Sequence, residues 1–383
     1  MITPEPSPYI LVTDARQLTQ ICQMLLKATR IAVDTEADSM HHYPEKVCLV
    51  QIATEEQAYL VDPLAIHDLS PLAPVLANPN IQKLLHGSDY DVRGMNRDYG
   101  MVFKNLFDTH LAARVLGLER LGLAGLLEDV LEIEIPKDKR IQRADWSKRP
   151  LDEDALSYAV GDVVHLFALQ DALEEKLKEL GRTDWSAEEC ERQAEVRYTP
   201  TDPVAAVFAM KESKGMNGTA LSVFSALYDF RDLQARRLDR PPAYILSAAA
   251  MAAIAVTPGA SLKKMPGLSV GTARRFGRDI QLAIRKGIDA PPLQRPAPQF
   301  PPRARPSNAQ VRRLANLKVW RTKEAKTLGF DPSMVWPMRS LERLAKEPGT
   351  MTDEQFSPEV RGWQRQQFSE SLRAALFSNN TEN

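Results

Sequence analysis

Short apolar runs separated by polar breaks open the chain. Ile31 to Glu36, Val47 to Ala53 and Ala58 to Val61 each read as a strand. The breaks between them carry Pro44-Glu45-Lys46 and Thr54-Glu55-Glu56-Gln57, short enough to join antiparallel neighbours. The pattern then alternates. A helix is expected over Leu69 to Leu76, and a fourth strand over Ile81 to Leu85, ending at His86-Gly87. A second helix should start with Ser88 as N-cap and run to about Arg97, stopping near Gly100. A short strand falls at Leu106-Phe107. Asp152 to about Leu180 predicts one long helix, with Leu156, Ala159, Val163, Leu166 and Leu169 at helical spacing. Three antiparallel strands followed by strand–helix alternation imply an α/β fold, a mixed sheet with helices packed on it.

Beyond residue 205 the pattern is almost wholly helical, and it repeats. Shifting the sequence by 90 positions lays Phe230-Arg231 on Trp320-Arg321, Pro242 on Pro332 and Pro258-Gly259 on Pro348-Gly349, with no gap. Between the copies, Ala290 to Pro306 is dense in proline and predicts an extended, semi-rigid linker. The expected division is therefore 1–204, 205–289, a linker over 290–306, and a looser second copy over 307–383. Ser378 to Asn383 read as a frayed end.

Charge sharpens this division. The chain of 383 residues carries a net charge of −1, but residues 1–200 hold 21 Lys+Arg against 34 Asp+Glu, and residues 201–383 hold 28 against 16. An acidic half joined to a basic half suggests that the second grips something anionic. The three cysteines, Cys22, Cys48 and Cys190, are too scattered for a disulfide framework or a zinc site. The first residues lack the basic-then-apolar order of a signal peptide, and no apolar run approaches a membrane span. A cytoplasmic protein is expected.

Five side chains in the acidic half carry candidate chemistry. Asp34 and Glu36 are two apart on a strand and so share a face. Tyr158 and Asp162 are four apart on a helix and so stack on one side. Asp91 begins the helix that follows the fourth strand. Four converging carboxylates repel one another unless hard cations neutralise them, and carboxylate oxygens are the preferred ligands of Mg²⁺ and Mn²⁺. A pair of such cations can clamp the attacking and leaving oxygens of a phosphoryl displacement. Taken singly, each acid also fits a surface or helix-dipole role. Asp34 fits it least, because it follows Ile31-Ala32-Val33 directly.

In order along the chain, Asp34-Thr35-Glu36, Asp91 within His86-Gly87-Ser88-Asp89-Tyr90-Asp91, and Tyr158 with Asp162 resemble the motifs of the DEDD 3′–5′ exonucleases, a ribonuclease H-like family, in its tyrosine subgroup. Cys48 to Ala53, Asn105 to Thr109 and Asp145 to Pro150 are similar to its ribonuclease D branch. Residues 213–289 resemble an HRDC domain, and 307–378 a degenerate second copy. The resemblance implies two divalent cations, Mg²⁺ or Mn²⁺, held by Asp34, Glu36, Asp91 and Asp162, with Tyr158 orienting the attacking water. It implies a 3′–5′ exoribonuclease that trims RNA, tRNA precursors included, and releases nucleoside 5′-monophosphates. Lys263, Lys264, Arg274, Arg275, Arg278, Arg285 and Lys286 would give the first HRDC copy a nucleic-acid-binding face. Asp108 is expected to be a helix N-cap, and Asp89 to point away from Asp91. A monomer is expected. An RNA-binding scaffold with a vestigial nuclease domain and a DNA exonuclease stand as alternatives. No phosphate loop of the Gly-x-x-x-x-Gly-Lys type occurs, which argues against a helicase.

Overall fold

The computed structural model describes residues 8–135, 138–296 and 305–377. Its sheet is built from β1 (Tyr9–Val12), β2 (Arg30–Ala37), β3 (Val47–Ala53), β4 (Ala58–Val61), β5 (Gln82–Leu85) and β6 (Leu106–Asp108), in the order β1-β4-β3-β2-β5-β6. Strands β2, β3 and β4 pair antiparallel as the sequence implies, while β5 and β6 add in parallel beyond β2. The edge strand β1, parallel to β4, is an addition to the expected set. Its four residues are too few and too exposed to carry a readable alternation.

The centre of the sheet is buried on both faces. Ile31 and Val33 pack into one apolar cluster and Ala32 into another, so helices cover both sides. In chain order these are α1 (Ala15–Leu25), α2 (Asp89–Tyr99), α3 (Thr109–Leu116), α4 (Leu123–Leu131), the one-turn α5 (Lys139–Gln142), α6 (Glu153–Val164), α7 (Leu166–Glu179) and α8 (Thr183–Ala194).

Three local expectations are corrected. The single helix expected over Asp152 to Leu180 is two, breaking at His165. The break lets α6 pack across β2, β3 and β4 while α7 packs on α3 and α4. The helix expected over Leu69 to Leu76 is a 3₁₀ turn, Ser70–Leu72, followed by one α-turn, Ala73–Leu76. Ser88 occupies the N-cap position of α2 without capping it. Its amide and hydroxyl instead donate to Asp108, at 2.8 and 2.7 Å.

The helical half follows the 90-residue period closely. Helix α9 (Gly218–Leu238) is matched by α12 (Asn308–Leu328), and α10 (Ala248–Val256) by α13 (Met338–Lys346), each displaced by 90 positions at both ends. The third helices, α11 (Val270–Asp289) and α14 (Gly362–Phe377), fall out of step. The first unit has its own core around Phe224, Leu227, Met251 and Ile280. Leu317, Trp320, Trp336 and Phe368 of the second instead share one core with Ala32, Leu126 and Leu166 of the sheet domain. The start of the expected linker is pinned rather than free: Leu293 donates to Gly218, and the Arg295 guanidinium to the Ser213 carbonyl at 2.7 Å. Residues 297–304, and the end expected to fray at Ser378 to Asn383, lie outside the described residues. Among the described residues no helix is long and apolar enough to cross a membrane, and all three cysteines are buried free thiols.

Candidate active site

Strand alternation puts Asp34 and Glu36 on the Ala32 side of β2. Helix α6 lies on that same side, with Ala159, Val160 and Val163 buried in the shared core, and this turns Asp162 toward the strand. One carboxylate oxygen from each of Asp34, Glu36 and Asp162 can be chosen so that all three lie within 4.8 Å of one another.

Asp91 arrives from the other face. It sits in the first turn of α2, beyond the end of β5, and accepts a hydrogen bond of 2.5 Å from the Thr35 hydroxyl. Thr35 points away from Asp34, so β2 supplies acids on one side and the anchor for Asp91 on the other. The turn that aims Asp91 is held by Asp108, which takes the Gly87 and Ser88 amides and also caps α3 through the His110 and Leu111 amides. Asp108 is thus an N-cap, as expected, with a second duty that the sequence did not reveal. Asp89 points outward and pairs with Arg93 at 2.8 Å.

All five expected residues line one cleft of about 670 Å³, together with Thr35, His86, Tyr90, Arg120, Leu123, Ile135 and Gln142. Its electrostatics are those of uncompensated acids. Burial first, then repulsion from Asp91, Asp162 and Glu36, raises the Asp34 carboxyl well above its ordinary value. Burial and the Asp162 charge do the same to Glu36. Burial lifts Asp162 to about 7, opposed by its hydrogen bond with Tyr158, and lifts Asp91 to about 6, opposed by Thr35. None of the four has a Lys or Arg partner among the described residues. Arg120, in the same cleft, pairs with Glu128 and with Asp129 at 2.7 Å. An all-oxygen donor set whose charges raise one another's proton affinity is what hard divalent cations relieve, so the residues fit the cations implied for them.

Three neighbours were given no role by the sequence reading. Gln51, fully buried and directly across from Asp34 in the β2–β3 ladder, donates to its carboxylate at 3.3 Å. Gln142 donates from Nε2 to the Tyr158 hydroxyl oxygen at 3.1 Å. His86, its pKa lowered to about 4 by burial, is neutral and bonded through Nδ1 to Thr109 at 2.9 Å. Register would have found Gln51, and the motif that carries Asp91 already holds His86. Gln142 depends on long-range packing.

The seven basic residues of the first helical unit are not in the cleft. Lys263 and Lys264 are exposed on a 3₁₀ turn, and Arg274, Arg275, Arg278, Arg285 and Lys286 on the outer side of α11, whose inner side buries Phe276, Ile280 and Ile284. This unit docks on the loop that follows Glu36. Asp239 accepts from the Tyr43 amide at 3.1 Å and bonds His42 Nδ1 at 2.7 Å, the Tyr43 hydroxyl donates to Asp232, and Arg236 lies over the Tyr43 ring.

A 3′–5′ exonuclease family matches residues 9–178, and an HRDC domain residues 220–284. Ribonuclease D of Gluconacetobacter diazotrophicus is 30% identical over 96% of this chain and 93% of its own, and that of Desulfotalea psychrophila 30% over 87% and 90%. The chain belongs to the ribonuclease D family. It is accordingly a 3′–5′ exoribonuclease, and the vestigial-scaffold alternative gives way. The fold agrees with that of Escherichia coli RNase D, at a TM-score of 0.74 and 23% identity over 97% of this chain and 100% of that one.

Proposed function

We propose that this exoribonuclease trims the 3′ ends of structured RNA precursors, tRNA precursors among them, by hydrolysis assisted by two divalent cations. The observation that carries the reading is the approach of the Asp34, Glu36 and Asp162 oxygens within 4.8 Å of one another, with Asp91 and Tyr158 at the same cleft. Asp34, Glu36, Asp91 and Asp162 would hold the cations, Mg²⁺ or Mn²⁺. Once bound, these supply the positive charge that stabilises the attacking and leaving oxygens. Thr35 fixes Asp91, and Gln51 fixes Asp34.

Tyr158 orients water for attack on the terminal phosphodiester. Burial and the Asp162 charge raise its pKa, so the phenol stays protonated and acts by position rather than as a base. Because Gln142 donates to its oxygen, its own proton is free for Asp162 or the incoming water. Water oxygen bonds to phosphorus and gives up a proton, the bond to the 3′ oxygen of the preceding nucleotide breaks, that oxygen takes up a proton as the new 3′ hydroxyl, and a nucleoside 5′-monophosphate leaves. Structured RNA as the substrate draws on the relative of the same fold from Escherichia coli, described as an exoribonuclease involved in structured RNA processing. It also draws on the exposed basic face of α11, suited to phosphate contacts.

The test is degradation of 3′-labelled RNA with Mg²⁺ or Mn²⁺, with and without chelator, beside a matched DNA strand. Asp34→Asn should abolish turnover and leave RNA binding largely intact. Turnover retained in that variant refutes the site, and equal cleavage of DNA refutes RNA selectivity.

A further inference from the structure

A run of basic residues adjoins the acidic cleft. Residues 1–200 carry 34 acids against 21 bases, yet residues 138–149 hold Lys139, Arg140, Arg143, Lys148 and Arg149 against Asp138 and Asp145, five bases to two acids. Arg149 is committed to the fold through Asp62, at 2.6 Å. The other four are exposed. Arg140 leans on Asp138 at 2.7 Å, while Lys139, Arg143 and Lys148 have no acidic partner within 4.0 Å among the described residues.

The segment is tied to both sides of the cleft. Gln142, between these bases, lines the cleft and donates to Tyr158. The Arg143 carbonyl is bonded by His41 Nε2 at 2.8 Å, on the loop that follows Glu36. The run therefore lies along the lip between the two catalytic motifs. Neither these four bases nor the basic face of α11 lines the cleft itself, but the four bases flank Gln142, which does.

An RNA strand reaching this cleft meets four carboxylates that have no basic partner. Cations held there would neutralise the acids and the phosphate being cut. The phosphates upstream need another counter-charge within a Debye length, about 8 Å at physiological salt. Resting on the exoribonuclease reading, we propose that Lys139, Arg140 and Arg143, with Lys148 beside them, form a phosphate-binding lip. The lip grips the single-stranded 3′ end of the RNA just upstream of the bond being hydrolysed. Backbone contacts of this kind position a strand without reading its sequence, so the lip favours length rather than base identity.

The experiment compares full-length wild type with the triple variant Lys139→Gln, Arg140→Gln, Arg143→Gln. A second triple variant, Lys27→Gln, Lys176→Gln, Lys178→Gln, makes the same charge change at exposed sites outside the cleft lining. Substrates are an unstructured octaribonucleotide and a diribonucleotide, whose single phosphate occupies the catalytic cleft. For the lip variant, kcat/KM on the octamer should fall roughly 10- to 100-fold more than on the dimer, mainly through KM. The slope of log affinity against log salt should become shallower by about 2, near 0.7 for each of three lost contacts to a single strand. The remote variant should match wild type in both readings. Equal losses on dimer and octamer, an unchanged salt slope, or the same change in the remote variant would overturn the proposal. Failure of the exoribonuclease reading would look different, as wild type releasing no nucleoside 5′-monophosphate from the octamer.

Discussion

Gly117 and Gly329 meet back to back: a Cβ on Gly117 would lie 1.8 Å from the carbonyl oxygen of Gly329. Each ends a helix, Gly117 closing α3 and Gly329 closing α12, and each has a positive φ, 84° and 70°. The obstruction at Gly117 is backbone, so no rotamer change relieves it. Gly117→Ala should therefore push the second helical unit off the sheet domain. About 1–3 kcal/mol is expected from overpacking, with roughly 1–2 kcal/mol more from a side chain in the left-handed region. Thermal unfolding measures it, and a melting temperature equal to wild type contradicts the contact.

Arg182 stabilises the same junction by a different route. Its guanidinium is buried, has no carboxylate partner among the described residues, and donates to the Val115 carbonyl of α3 at 2.9 Å and to Leu328 of α12 at 2.6 Å. The rings of Trp185 and Phe330 lie 5.5 and 5.2 Å away. One side chain thus satisfies the ends of two helices from two units. Arg182→Met should cost about 2–4 kcal/mol, since the stranded carbonyls stay buried. Trypsin should then cut after Arg312 and Arg313 in α12 faster than in wild type, and unchanged cleavage there would count against the clamp. The same packing makes deletion of the whole helical half a poor test of RNA binding. It would strip partners from Trp185 and from Glu188 and Glu189, which cap and pair with the start of α14.

The raised carboxyl pKa values of the cleft set a pH dependence. Unfolded, these acids titrate near 4. Folded, Asp91 holds its proton to about 6 and Asp162 to about 7. Between pH 4 and 7 the folded state binds more protons than the unfolded one, so the site's contribution to stability falls as pH rises. In chelator, the melting temperature of Asp162→Asn should therefore gain on wild type from pH 5 to pH 8. Mg²⁺ or Mn²⁺ should erase that gain by stabilising wild type alone. A difference independent of pH and of metal would remove the acidic-cluster interpretation.

Legibility in the sequence follows the range of the forces involved. Asp34 with Glu36, and Tyr158 with Asp162, could be paired from local periods of two and 3.6 residues, which no tertiary contact alters. The β2–β3–β4 meander was readable for the same reason. The break at His165 was not, because α6 and α7 each look helical and only the surfaces they cover differ. Nor was the merging of the second helical unit into the core of the sheet domain. Its apolar pattern mirrors the first unit, and nothing local says that Trp363 will stack on Trp185 at 4.6 Å. The Thr35–Asp91 bond spans 56 residues and Gln142–Tyr158 crosses between helices, so both needed the fold.

Gln142 gives the sharpest test of how the tyrosine acts. A carboxamide donating into the phenol oxygen restrains the ring and leaves the hydroxyl proton as the only one available for Asp162 or water. Tyr158→Phe should lower kcat about 100-fold with KM little changed, the signature of lost positioning. Gln142→Leu should lower kcat about 10-fold by freeing the phenol to rotate. Because the carboxamide acts only through the tyrosine, the double variant should be no slower than Tyr158→Phe alone. Multiplied losses in the double variant would mean that Gln142 touches substrate or merely supports the fold. Gln142→Glu should be worse than Gln142→Leu above neutral pH, since a carboxylate would capture the tyrosine's proton instead of donating one.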